Sequence, residues 1–173
     1  MEIKELVAKA WEIYEKALEL LETGNIRDAA EKSWLAVETM RKTIMVASKI
    51  PYEKTERVNL ALNVFSKILE ILDHEDLLSE YYALNATLHG MAFYEGVLNE
   101  DTTRKFIRKA EEWLRKAEAI LELASQIDAS QLMTLEEEKM RIKARIISEN
   151  IKILEIKAKE NEIIRALKKK LVN

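Results

Sequence analysis

Apolar residues recur along this chain at steps of three and four, the spacing that lines one side of an α-helix. Ile3, Leu6, Val7, Ala10, Tyr14, Ala17, Leu18 and Leu21 form the first such stripe. Gly24 follows it and can take the left-handed conformation that ends a helix. Asn25, with Asp28 three residues on, resembles the start of a second helix, whose stripe is Ile26, Ala30, Ser33, Val37, Met40, Ile44 and Ala47. Pro51 is expected to close it. A third helix is predicted from about Glu53, with Val58, Leu62, Phe65, Leu69 and Leu72 inward. Asp73-His74-Glu75-Asp76 then reads as a connector that places acids in the first turn of a fourth helix, which runs to about Leu98. Asp101 or Thr102 caps a fifth, with Ile107, Ala110, Trp113 or Leu114, Ala117, Leu121 and Ala124 on its apolar face. No stretch alternates β-branched with polar residues, so no sheet is predicted. The fold class is all-α: an antiparallel bundle of about five helices over residues 1–128, then a long C-terminal helix within 129–173.

That last segment differs from the others. Thr134 and Glu137 have the spacing of a capping box, and no breaker interrupts the chain from Leu135 to Val172. Some 38 residues of helix would reach roughly 57 Å at ~1.5 Å per residue. Leu135, Ile142, Ile146, Ile153, Ile156, Ile163 and Leu167 fall on heptad a and d positions, a seam interrupted by Lys139, Glu149, Glu160 and Lys170. Ile147, Ile151, Leu154 and Ile164 widen the apolar face beyond a narrow coiled-coil strip. A helix so long and so apolar needs a partner, and homo-oligomerisation through residues 135–172 is expected.

Charge changes this picture only locally. The chain carries a net −3, so as a whole it does not attract nucleic acid. Residues 136–173 hold 11 Lys and Arg against 7 Asp and Glu, a local excess of +4 that a solvated helix face accommodates. Lys168-Lys169-Lys170 is too short a run to specify a ligand. With 48% apolar and 34% charged residues, the chain is too hydrophobic for disorder and too interleaved with charge for a membrane span. The N-terminal residues alternate charge and hydrophobe without a small-residue cleavage site, so a cytoplasmic location is expected. Abundant Lys, Glu and Ile with rare Gln suit a heat-adapted host. Cysteine is absent, which excludes disulfides and thiolate chemistry, and the two histidines, His74 and His89, cannot build a His-rich metal site. No metal and no cofactor are expected.

Residues 10–42 have the outline of one tetratricopeptide unit, with Trp11, Ala29 and Trp34 near packing positions, but the pattern does not recur about 34 residues later. A scaffold of that kind is a minor alternative. The stretch Leu20-Leu-Glu-Thr-Gly24-Asn25-Ile-Arg-Asp-Ala29-Ala30-Glu31-Lys32-Ser-Trp34 resembles a signature of the archaeal PaREP-type helical family, which is itself related to the HEPN superfamily of helical bundles. A second block, Ala86-Thr-Leu88-His89-Gly90-Met-Ala-Phe93-Tyr94-Glu95, carries the same resemblance. It covers residues 1 to about 125 and implies a HEPN-like bundle that tends to dimerise.

The HEPN resemblance also implies one candidate site. Its ribonucleases place an Arg and a His with four to six residues between them, so that one helix offers a cation for the phosphate and an imidazole for proton transfer. Here His89 matches the histidine and Asn85 the polar position, but Tyr82, Ala83 and Leu84 stand where the Arg would be. An Arg from another helix, such as Arg41 or Arg57, could substitute for it. The plainer reading of Asn85 and His89, four residues apart on one helix face, is a buried hydrogen-bonded pair that fixes helix packing. Between these lies a binding pocket formed by Tyr82, Asn85, His89 and Tyr94. Gly90 and Gly96 suggest close approach by a neighbouring helix. Other chemistry is sparse. Glu70, Asp73, Glu75 and Asp76 read as helix-start acids, Glu31 and Glu38 lack the Glu-x-x-His partner of a di-metal site, and Trp11, Trp34 and Trp113 read as core. The sequence favours a non-enzymatic, homo-oligomeric interaction protein with RNA or protein as partner. The alternative is an RNA-processing or toxin-like HEPN ribonuclease with a degenerate site.

Overall fold

A computed structural model describes residues 2–171, with the side chains of residues 2–160 and of Glu162. The expectations placed on the side chains of Ile163, Ile164, Leu167 and Lys168 to Lys170 lie outside the described residues. All regular structure described is helical: α1 (Ile3–Glu22), α2 (Ile26–Ala47), α3 (Tyr52–Thr55), α4 (Val58–Ile71), α5 (Glu75–Leu84), a π-helix (Asn85–Glu95), α6 (Glu100–Ala119), α7 (Leu121–Ser125) and α8 (Ser130–Leu171). The fold is all-α with a long C-terminal helix, as the pattern predicts. The chain divides into two compact units, Met1–Met133 and Thr134–Asn173. No described helix is long and apolar enough to cross a membrane.

In the first unit α2 is the central element. It packs on α1, α4, α6, α7 and the π-helix, and it buries Ala29, Ala30, Trp34, Ala36, Val37, Met40, Ile44 and Met45 among others. A solenoid would stack helix pairs against their neighbours only; here several elements gather on one helix. Burial on so many sides leaves α2 with polar side chains inside. Their hydroxyls donate to the carbonyl one turn back: Ser33 to Ala29 at 2.9 Å, Thr39 to Leu35 at 2.8 Å, and Thr43 to Thr39 at 2.9 Å. No buried side-chain polar atom among the described residues lacks a partner.

Two side-chain bonds tie α6 to its neighbours across the core. Trp113, fully buried, donates from Nε1 to the carbonyl of Leu77 at 2.9 Å, and the Tyr14 hydroxyl donates to the carbonyl of Ile107 at 3.1 Å. A buried charge is held beside them. Arg41, 1% exposed, donates to both carboxylate oxygens of Glu38 at 2.8 and 2.6 Å and to the carbonyl of Thr55 at 3.1 Å. Glu38 also accepts from the Tyr81 hydroxyl at 2.8 Å. Burial is the largest single influence and opposes the guanidinium charge, but the Glu38 hydrogen bonds and the Glu38 charge together outweigh it and hold the Arg41 pKa above its ordinary value. Burial, followed by the Glu38 charge, pushes the Tyr81 phenol upward.

Several expected boundaries move, each for a local reason. α2 stops at Ala47, because Lys49 adopts the left-handed conformation at φ 64°, before Pro51 is reached. The third helix is two pieces broken at Glu56-Arg57, and the break resets its phase. Val58 is 62% exposed, while Leu60, Ala61, Val64, Phe65, Ile68 and Leu69 point inward. Asn25 precedes α2, but its amide donates to Asp28 at 2.7 Å instead of capping the backbone. Asn99, and neither Asp101 nor Thr102, caps α6, accepting from the Thr102 N–H at 2.8 Å. α8 begins at Ser130, where Asp128 accepts from the Ser130 N–H at 3.1 Å and its hydroxyl at 2.6 Å, so Thr134 and Glu137 are interior to the helix.

The second unit is α8 beyond Met133, and every residue from 138 to 160 is exposed. Its apolar residues do not make one broad face. At about 100° per residue, Ile142, Ile146, Ile153 and Ile156 share one side, whereas Met140, Ile147, Ile151 and Leu154 lie about 150° around the axis. The helix has two apolar seams.

Candidate functional site

The stretch expected to finish a fourth α-helix is instead a π-helix, Asn85–Glu95, continuing directly from α5. Its hydrogen bonds close over five residues, not four, which gives a wider turn than an α-helix has. The expected Asn85–His89 hydrogen bond is not formed: Asn85 is half-buried at the start of the π-helix, and His89 pairs with Glu31 of α2. Tyr94, five residues after His89, meets its ring edge-on with centroids 4.7 Å apart. Gly96 ends the π-helix at φ 64°, the left-handed conformation that glycine takes without steric cost. A Cβ placed on Gly90 would meet only the carbonyl of Asn85, at 3.9 Å, so no neighbouring helix demands glycine there.

The partner of His89 comes from α2. Nδ1 of His89 lies 2.7 Å from Oε2 of Glu31, with the two side chains 33% and 28% exposed. A carboxylate only accepts, so Nδ1 is the donor of this hydrogen bond. Trp34, three residues after Glu31 on the same helix, has its ring centroid 5.9 Å from that of His89. Arg27, one turn before Glu31, donates to the carbonyls of Phe93 and Tyr94, the latter at 3.3 Å, and its guanidinium sits over the Phe93 ring at 5.4 Å. Those carbonyls belong to the last turn of the π-helix, where the backbone ladder runs out of donors. One stripe of α2, Arg27-Glu31-Trp34, thus seats the π-helix by a cap, a histidine pair and a ring contact.

The expected site residues are not all brought together. His89 and Tyr94 are in contact, and Tyr94 is 64% exposed. Tyr82, 46% exposed, packs edge-on against Tyr81, with centroids 5.6 Å apart, and not against His89. Leu84, one of the positions where an Arg would complete the ribonuclease motif, is 2% exposed and part of the core. Arg41 cannot supply that cation, being enclosed by Glu38 and Thr55, and Arg57 is the residue preceding α4. His74 precedes α5 and lies 4.0 Å from Asp76. Sequence reasoning missed Glu31 and Arg27 as site residues, although both stand in the first family block. No group of three or more metal-ligating side chains occurs among the described residues.

The arrangement can do two things chemically. A part-exposed imidazole oriented by a carboxylate can take part in hydrogen bonding or proton transfer. The Tyr94 ring beside it can stack on a flat or apolar group.

The profile of the archaeal PaREP1/PaREP8 family matches residues 5–114, which takes in both elements of this site. No curated protein and no solved structure matches the chain. The chain belongs to the archaeal PaREP1/PaREP8 family.

Proposed function

We propose that this PaREP1/PaREP8 family member is a non-enzymatic interaction protein that self-associates through α8 and binds a ligand or partner at the Glu31–His89 cluster. The observation that carries this reading is the pairing of His89 with Glu31 at 2.7 Å, where a ribonuclease of the HEPN kind would need a cation. Arg27 is engaged in capping the end of the π-helix. The exposed apolar seams of α8 support self-association, since isolated helices are marginal in water without a packed face.

An RNA-cleavage assay on metal-free protein tests the reading, with His89→Ala and Glu31→Gln in parallel. We expect no cleavage by any of the three. Cleavage by the unmodified chain that His89→Ala abolishes would overturn it. The result would favour the second reading, an RNA-processing or toxin-like HEPN enzyme with an altered site. That reading draws on one specific feature, the part-exposed imidazole oriented by a carboxylate, as a general base often is.

A further inference from the structure

We infer that α8 is a two-sided assembly element, each of its opposite seams taken by the α8 of another copy running antiparallel, so that the assembly exceeds a dimer. This rests on the self-association reading above and adds the number of interfaces and their direction. The first seam carries Ile142, Ile146, Ile153 and Ile156, between 50% and 66% exposed. Met140, Ala144, Ile147, Ile151, Leu154 and Ala158 form the second, spaced alternately by four and three without a polar interruption. The two lie about 150° apart around the axis, so a helix seated on one cannot cover the other. Every residue from 138 to 160 is exposed among the described residues.

Both seams complement themselves when the helix direction is reversed about Glu149. On the second seam the reversal sets Ala144 opposite Leu154, Ala158 opposite Met140, and Ile147 opposite Ile151. Each small residue meets a large one, which keeps the two axes evenly spaced. A shallow groove over Ala144, Ile147 and Ile151 is the place for the facing leucine. Parallel pairing would instead stack alanine on alanine and leucine on leucine, and the axes could not stay at one distance. On the first seam the reversal brings Lys139 near Glu160, opposite in charge, whereas parallel pairing sets every one of Lys139, Glu149 and Glu160 against its own kind. Glu149, close to the two-fold axis, carries its own counter-charge, Arg145 at 3.1 Å.

The test is the molar mass of the full chain by light scattering, with lysine substitutions that disable one seam at a time. We expect the unmodified chain to exceed two copies. Ile147→Lys with Ile151→Lys, and separately Ile146→Lys with Ile153→Lys, should each reduce it to a dimer, and the four together to a monomer. A dimer in the unmodified chain that only one pair of substitutions dissociates would overturn the two-sided inference and leave self-association standing. A monomer would overturn both. Direction is read from the cysteine-free background. Ala144→Cys mixed with Leu154→Cys should cross-link between copies, while each alone does not. Efficient cross-linking of either variant with itself would show parallel helices and overturn the antiparallel arrangement.

Discussion

α2 and the stretch of α8 from 138 to 160 are of similar length and are both rich in aliphatic residues, yet they sit at opposite extremes of burial. Thirteen of the 22 residues of α2 are buried; its inward hydroxyls and Arg41 find hydrogen-bond partners within the chain, and the Trp34 ring packs on those of Tyr81 and His89. No residue of 138–160 is buried, and seven isoleucines and leucines there are at least half exposed. The difference lies in what the two helices can reach. α2 is followed and preceded by short connections that fold other helices back over it, whereas residues 138–160 of α8 stay exposed. Amphipathic character alone does not say where the covering surface comes from; connectivity decides whether the same chain supplies it.

The contrast can be broken or sharpened by mutation. Trp113→Ala should cost about 3–5 kcal/mol of bundle stability, the range for deleting a large buried aromatic, read from urea denaturation by circular dichroism. Ile151→Ala in α8 should leave the bundle midpoint within about 0.5 kcal/mol; equal losses from both would erase the contrast. Arg41→Ala should cost about 3 kcal/mol, because it strands Glu38 without its ion-pair partner. Arg41→Met should cost less, since the shape is retained. Glu31→Gln should act locally, weakening the seating of the π-helix by about 1 kcal/mol or less, as suits a part-exposed pair. It should be seen as faster amide exchange in 85–95 with the other helices unchanged.

The smallest effect concerns acid. The Lys42 hydrogen bond, followed in the same direction by that cation's charge, holds the Glu56 carboxyl below its ordinary value of 4.5. A carboxyl whose pKa is depressed in the folded state contributes stability that is complete above 4.5 and is lost as the pH falls through the folded value. With Glu56 half exposed, the contribution is under about 1 kcal/mol. Lys42→Met should lower stability at neutral pH by that amount and flatten the acid limb of a denaturation series between about pH 5 and pH 3. An unchanged limb would mean that the pair contributes nothing measurable.

Elements governed by neighbours in sequence were legible from it. The α1 stripe and the turn at Gly24, at φ 78°, depend on local spacing and one residue's freedom at positive φ. The uninterrupted run of α8 depends on the absence of breakers. What escaped was of two kinds. No residue signals a switch from four- to five-residue hydrogen bonding, so the pattern of 85–95 reads as a continuing α-helix. Glu31 finds His89 across 58 positions, a contact that only the packing of α2 on the π-helix creates. The family block around Gly24–Trp34 contained Arg27 and Glu31 all along, but nothing in a single sequence distinguishes those two charges from solvated neighbours such as Lys32. Where two start signals competed, at Asp128 and Thr134, the earlier one prevailed, because a helix that has already begun has no use for a second cap.

A π-helix is also a phase shifter. Against an α-helix of the same residues, its wider turn acts like a shim that retards rotation, so that residues 93 and 94 arrive over Arg27 at the moment His89 arrives over Glu31. Deleting one residue between them, at Gly90 or Met91, would let the coil tighten to the ordinary pitch. Everything downstream would then turn out of step with α2, and the histidine and the cap could no longer be engaged together. The spacing between the two contacts, more than the identity of any residue in between, is what length variation in this segment would have to respect.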